Sequence, residues 1–135
     1  PGRIENMDAD FFENSWRVCC FGGFLYGREA IKHMKCDGGG TILYTGASAS
    51  MRGRPNFGAF NSSKAALRIM AQAMAKEYGP DGIHVGHVVV DGAIDGKKIH
   101  ALVPDLAEKL GEDGLIDIQA IVDAFEYLYQ QPRRG

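Results

Sequence analysis

The chain has no apolar run of membrane-spanning length, no surplus of basic charge and no paired-cysteine pattern. Without an apolar run of about 20 residues, no helical membrane span is expected. With 15 Lys and Arg against 17 Asp and Glu, the net charge of −2 excludes the basic footprint of a nucleic-acid binder. Cys19, Cys20 and Cys36 are odd in number and lack metal-ligand spacing, and neighbours such as Cys19 and Cys20 are poorly placed to pair with each other. Reduced thiols in a cytoplasmic protein are the expectation. No basic stretch followed by an apolar one opens the chain, so no secretion signal is expected. Internal repeats, low-complexity tracts and linkers are also missing. What remains, 45% hydrophobic and 24% charged over 135 residues, is the composition of one globular domain spanning residues 1–135.

The informative stretch is Gly38 to Leu67, GGGTILYTGASASMRGRPNFGAFNSSKAAL. The apolar run Thr41 to Thr45 is too short for a helix and rich in β-formers, so it reads as a strand. A small-residue loop, Gly46 to Ser50, and a connector, Met51 to Asn56, follow it. The helix Phe57 to Tyr78 comes next, with an expected inward face of Phe60, Ala66, Met70, Ala73 and Met74. Ahead of the strand, Asp10 is a candidate N-cap for a long helix from Phe11 to Lys35. The expected stripe of that helix is Phe12, Trp16, Cys19, Gly23, Tyr26, Ala30 and Met34, broadened by Phe11, Val18, Leu25 and Ile31. Gly22 and Gly23 in its middle suggest close backbone approach to an unidentified neighbour. Beyond Gly79-Pro80, IHVGHVVV (Ile83 to Val90) reads as a parallel strand covered on both faces. The loop Asp91 to Gly96, a weakly helical Ile99 to Lys109, a turn at Gly111 to Gly114 and a final helix, Ile118 to Gln131 capped by Asp117, complete the order. Ligands in open α/β sheets bind beyond the carboxyl ends of the strands, which places Gly46 to Ser50 at the expected site.

Four segments in register resemble the C-terminal half of the short-chain dehydrogenase/reductases. Ser15-Trp16-Arg17-Val18-Cys19 resembles the family's W-x-V-N helix, and Gly39-Gly40-Thr41-Ile42-Leu43 its G-G-x-I-V strand. Phe60-Asn61-Ser62-Ser63-Lys64-Ala65-Ala66-Leu67 resembles Y-x-x-x-K-A-A-L. Gly82-Ile83-His84-Val85, then Asp91-Gly92-Ala93-Ile94, resembles G-I-x-V followed by P-G-x-I. The match runs from about Phe11 to Gln131. No G-x-G-x-x-G phosphate-binding turn is present, and the family's last strand has no counterpart. With Pro1 in place of an initiator Met, the resemblance implies an excerpt of a larger protein.

The resemblance implies an α/β fold, a partial Rossmann-like doubly wound parallel sheet in three αβα layers that lacks the N-terminal cofactor-binding half. It implies hydride transfer between NAD or NADP and the carbonyl or alcohol carbon of a small-molecule substrate. The family's tyrosine and lysine stack one turn apart on a helix face. Here the lysine is Lys64, expected to act in catalysis and on the nicotinamide ribose, while the tyrosine position is Phe60, which has no proton to give. The family's serine falls on Ala47, with Ser48 next to it as the candidate to polarise the substrate oxygen or merely to bond its own loop. The helix asparagine falls on Cys19. Gly92 and Ile94 lie in the loop that would hold the nicotinamide carboxamide through backbone groups, and Asp91 stands where the family has proline. Tyr44 offers a phenol near the loop, or packs as a mid-strand aromatic. His33, His84, His87 and His100 show no metal spacing, and no metal is expected. The helices over residues 11–35 and 57–78 match the family's dimerising helices, so a homo-oligomer is expected, with neither nucleic acid nor membrane as partner. The other reading is a non-catalytic relative or fragment that keeps those helices.

Overall fold

In this computed structural model, residues 2–111 and 113–132 are described. Helix α1 (Ala9–Trp16) runs through a π-helical turn (Arg17–Phe21) into α2 (Gly22–Cys36), and strand β1 (Gly40–Ala47) follows. After a 3₁₀ turn (Ser48–Ser50) come α3 (Gly58–Tyr78), β2 (Ile83–Val90), α4 (Lys97–Leu102), α5 (Leu106–Leu110) and α6 (Ile118–Gln130). The two strands pair in parallel from Gly40↔Ile83 to Ala47↔Val90. Thus β2 spans the expected residues, while β1 extends beyond Thr41 to Thr45 at both ends because pairing with β2 carries it on. The expected weak helix from Ile99 splits into two short helices around Pro104, whose ring cannot donate to a helix interior.

Side-chain alternation along the strands sends one set to each face. Ile42, Tyr44, Ile83 and Val85 point toward α2 and α3, where Ile31, Leu67, Ala71 and Met74 complete the main core. Leu43 and Gly86 point the other way: the Leu43 side chain fills the space a Cβ on Gly86 would need, and Leu128 of α6 lies in van der Waals reach of the same spot. The architecture is three layers: α2 and α3, a two-stranded sheet, and α6.

Three expectations about the helices need correction. The N-cap of α1 is Asp8, not Asp10: Asp8 has extended backbone and its carboxylate accepts from the Phe11 amide at 2.9 Å. Asp10 lies in the first turn, where its charge suits the helix dipole. The stripe of the long helix holds in part: Gly23, Ile31 and Met34 face the core as expected, but Phe12, Trp16 and Tyr26 do not. The π-turn inserts a residue into the helical repeat, and the Gly22 amide donates to the Arg17 carbonyl. The inward positions beyond it are Cys20, Gly23, Gly27 and Ile31, while Tyr26 is 84% exposed. In α3 the buried stripe is Ala59, Ser63, Leu67, Ala71 and Met74, with Phe60 and Ala73 turned outward.

The neighbours that Gly23 approaches are Leu67 of α3, nearest, and Tyr44 of β1. The Tyr44 hydroxyl donates to the Gly23 carbonyl at 2.9 Å and lies 3.6 Å from the Met74 sulfur. A Cβ on Gly23 would fall 3.3 Å from the Tyr44 ring, and one on Gly27 would overlap the Tyr44 hydroxyl itself. Glycine therefore serves at both positions despite costing about 1 kcal/mol against Ala in a helix.

Gly27→Ala should accordingly destabilise the fold by about 1–3 kcal/mol, the range for overpacking. In the Tyr44→Phe background the same substitution should cost less but not nothing, because the overlapping oxygen is gone while the Met74 methyl stays in the way. Urea midpoints for the four proteins of this cycle measure the coupling. Strictly additive effects would contradict the contact.

Candidate functional site

Both strands end side by side, at Ala47 and Val90, and the segments leaving them form the site. Lys64 reaches it from the second turn of α3. Its ammonium donates to the carbonyl of Thr45, near the end of β1, at 3.0 Å, and sits 5.9 Å from the centroid of the Phe60 ring. The i, i+4 stacking expected of positions 60 and 64 is therefore present. Phe60 is 41% exposed, so its ring covers the lysine from the solvent side, and the contact is of the cation–π kind.

Ser48 begins the 3₁₀ turn. Its carbonyl accepts from Met51 at 2.9 Å and from Arg52 at 3.2 Å, while its half-buried hydroxyl makes no hydrogen bond among the described residues. The loop does not consume that hydroxyl. Ala47 is the last residue of β1 and presents only a methyl group. Cys19 lies within the π-turn and is half-buried, whereas its neighbour Cys20 enters the core. Burial pushes the Cys20 thiol up, with Cys19 adding to the effect, so neither geometry nor charge marks a reactive thiolate.

The loop after β2 is exposed at Asp91, Gly92, Ile94 and Asp95. Ile94 bridges to Ile116 in parallel, with the Ile116 amide donating to Ala93 at 2.8 Å and the Asp95 amide donating to Ile116 at 2.9 Å. A Cβ on Gly92 would meet the Ile116 side chain at 2.9 Å. Glycine at 92 thus answers to packing against Ile116, and its backbone groups remain on an exposed loop. Arg52 reaches across from the connector: its Nη2 lies 3.1 and 3.0 Å from the two carboxylate oxygens of Asp91. The sequence reading missed this pair. Its one trace was that Asp91 occupies a position where a proline was expected.

Tyr44 belongs to the core. It is 8% exposed, and burial pushes its phenol above its ordinary value, aided by Cys20. It offers no proton to the loop. His87 stands opposite Tyr44 in the strand register, and its ring fills the space a side chain on Gly46 would need. Among the described residues its buried Nε2 has no hydrogen-bond partner. No group of three or more His, Cys, Asp or Glu among the described residues is arranged to hold a metal.

A nicotinamide cofactor fits these residues at one end only. The ammonium of Lys64, the free Ser48 hydroxyl and the exposed backbone of Gly92 to Ile94 suit a ribose, a reacting oxygen and a carboxamide. A pyrophosphate has no matching cradle, because no G-x-G-x-x-G turn joins a strand to a helix among the described residues.

The fold is α/β and Rossmann-like, with a small parallel sheet whose carboxyl strand ends carry the candidate site. Residues 1–115 match the short chain dehydrogenase family, and the chain belongs to that family. It is 31% identical over 115 residues to an NADPH-dependent aldehyde reductase-like protein, chloroplastic, of Arabidopsis thaliana, covering 82% of this chain and 41% of that one. A short-chain dehydrogenase from Rhodopseudomonas palustris is 34% identical with a TM-score of 0.75, over 98% of this chain and 51% of that one. A 7α-hydroxysteroid dehydrogenase complexed with NADH and 7-oxo glycochenodeoxycholic acid is 25% identical with a TM-score of 0.83, over 96% of this chain and 52% of that one. The chain thus spans about half of these relatives or less. No helix of the described residues is long and apolar enough to cross a membrane.

Burial holds the His87 imidazole below its ordinary value of 6.5, and the cations Arg68 and Lys64 push the same way. A neutral buried imidazole supplies stability in full above the unfolded value of about 6.5 and loses it as pH falls through the lower folded value. His87→Gln, which cannot titrate, should flatten the decline of the thermal midpoint as pH drops below 6.5. An unchanged decline would contradict this placement of His87.

Proposed function

We propose that this chain is the nicotinamide-end half of a short-chain dehydrogenase/reductase-type oxidoreductase, which transfers hydride between NAD or NADP and a carbonyl or alcohol substrate. The observation that carries the reading is Lys64, fixed on the Thr45 carbonyl at the strand end with position 60 stacked beside it. A nicotinamide cofactor, when bound, supplies or accepts the hydride. Lys64 then binds the nicotinamide ribose and favours negative charge on the substrate oxygen. Ser48 donates its hydroxyl proton toward that oxygen, and the backbone of Gly92 and Ile94 orients the carboxamide. With Phe60 unable to exchange a proton, the general acid is Ser48 or a water beside it, and activity is weak. Three unpaired cysteines accord with a cytoplasmic setting.

The second reading is a non-catalytic relative that keeps the fold for association. It draws on Phe60, Ala47 and Cys19 replacing reactive side chains, and on the apolar surface of α1, the π-turn and α2. Phe11, Phe12, Trp16, Val18, Phe24 and Leu25 are all exposed there, a patch of the kind that marks an interface. Under either reading the chain is a homo-oligomer through residues 11–35 and 57–78.

Sedimentation of the chain at low micromolar concentration should show dimers or larger species, and a compact monomer would contradict the association. NAD and NADP should bind the chain more weakly than about 100 μM, roughly −5.5 kcal/mol. They should bind tightly to a form extended to carry a phosphate-binding half. Tight binding to residues 1–135 alone would reveal a phosphate site within them.

Activity divides the two readings. In the extended form Phe60→Tyr should raise carbonyl reduction by about 10²–10⁴-fold, because a phenol one turn from Lys64 has its proton loosened by the ammonium. Position 60 is exposed, so the thermal midpoint should hold. A lower midpoint with no gain in rate would remove position 60 from the active site and favour the non-catalytic reading.

A further inference from the structure

Two ion pairs among the described residues join parts of the chain far apart in sequence, one at each end of the sheet. Lys35 to Asp81, at 2.9 Å, ties the end of α2 to the turn that leads into β2. Arg52 to Asp91 ties the connector after β1 to the first residue after β2. The second lies where the two walls of the site leave their strands. The loop between β2 and α4 is unevenly held. Its far part is fastened to Ile116 by two backbone hydrogen bonds. At its near end the Arg52 contact is the side-chain tie to Asp91. Proline, the family's residue at position 91, would fix φ through its ring, but aspartate leaves that torsion free.

We propose that Arg52 and Asp91 are positioning residues whose ion pair clamps the 91–96 loop to the 51–56 connector, doing by charge what a ring at position 91 would do by covalent constraint. Its meaning for catalysis rests on the reading of this loop as the carboxamide holder. The clamp itself exists without cofactor and is measured without it. Both side chains are largely exposed. An exposed pair acts modestly and is screened by salt, so the clamp should set the loop's opening rather than the stability of the fold.

Amide hydrogen exchange of residues 1–135, resolved by NMR, tests this. The hydrogen-bonded amides of Asp95, Gly96 and Met51 report the two clamped segments, and those of Ile42 and Gly86, which pair across the strands, report the sheet. Arg52→Ala and Asp91→Asn should each speed exchange of the clamped segments by about two- to fivefold and leave the sheet amides unchanged. The double variant should add nothing to either single one. The swap Arg52→Asp with Asp91→Arg should restore slow exchange. Near 1 M salt, where the screening length is about 3 Å, the native chain should match the single variants, which should themselves be insensitive to salt. The proposal is overturned if the single variants leave loop exchange unchanged. It is equally overturned if only one of them acts, or if the swap fails to restore protection. Intact clamping in a protein whose extended form fails to bind cofactor would remove the functional reading and leave the clamp. Cofactor binding without clamping would do the reverse.

Discussion

The contact between Tyr44 and two helical glycines sets the geometry of everything else. Its hydroxyl donates to the Gly23 carbonyl, and no side chain larger than hydrogen fits at Gly27 beside it. A hydrogen bond of this kind contributes about 0.5–1.5 kcal/mol net, but its greater effect is to fix how closely α2 lies on β1. With α2 so close, α3 must present small residues to share the same face. Ala59, Ser63 and Ala71 do so, with Leu67 and Met74 filling what remains. Once that stripe of α3 is pressed inward, Phe60 and Lys64 are carried to the rim, where Lys64 meets the Thr45 carbonyl. A packing constraint in the middle of the sheet thus places the Lys64 ammonium at its end.

The site built on this frame is chemically incomplete in a particular way. It keeps groups that bind and orient: an ammonium tied to a strand carbonyl, a free hydroxyl at Ser48 and an exposed loop backbone. It lacks a side chain that exchanges protons easily at position 60. Tyr44 cannot substitute, because burial raises its pKa and its hydrogen already serves Gly23.

What was legible in the sequence followed local rules. The apolar run ending in Val88, Val89 and Val90 gave β2 to the residue, and Asp117 capped the last helix through the amides of Gln119 and Ala120. Family membership and the placement of Lys64 were legible because several motifs agreed in register. What was not legible depended on long-range contacts or on a local break in period. The π-turn shifts the inward face by a residue, and the side-chain pattern alone reads straight through it, which is why Tyr26 was expected inside. The buried stripe of α3 runs through Ala59 and Ser63 instead of Phe60 and Ala66, because packing on Tyr44 and the sheet fixes the phase of the helix. Asp8 and Asp10 are equally good caps by residue type, and only the backbone conformation separates them. The Arg52–Asp91 pair spans the sheet end and leaves no periodic trace.

The central claim is that these residues form the nicotinamide end of a dinucleotide site. It is tested most directly by titrating the chain with reduced nicotinamide mononucleotide, which lacks the adenylate half, and mapping amide shifts by NMR. The account predicts saturable shifts at millimolar ligand confined to Gly46–Ser50, Lys64 and Gly92–Gly96, lost in Lys64→Met. Shifts centred elsewhere, or none at those concentrations in a chain whose sheet amides remain protected, would contradict it.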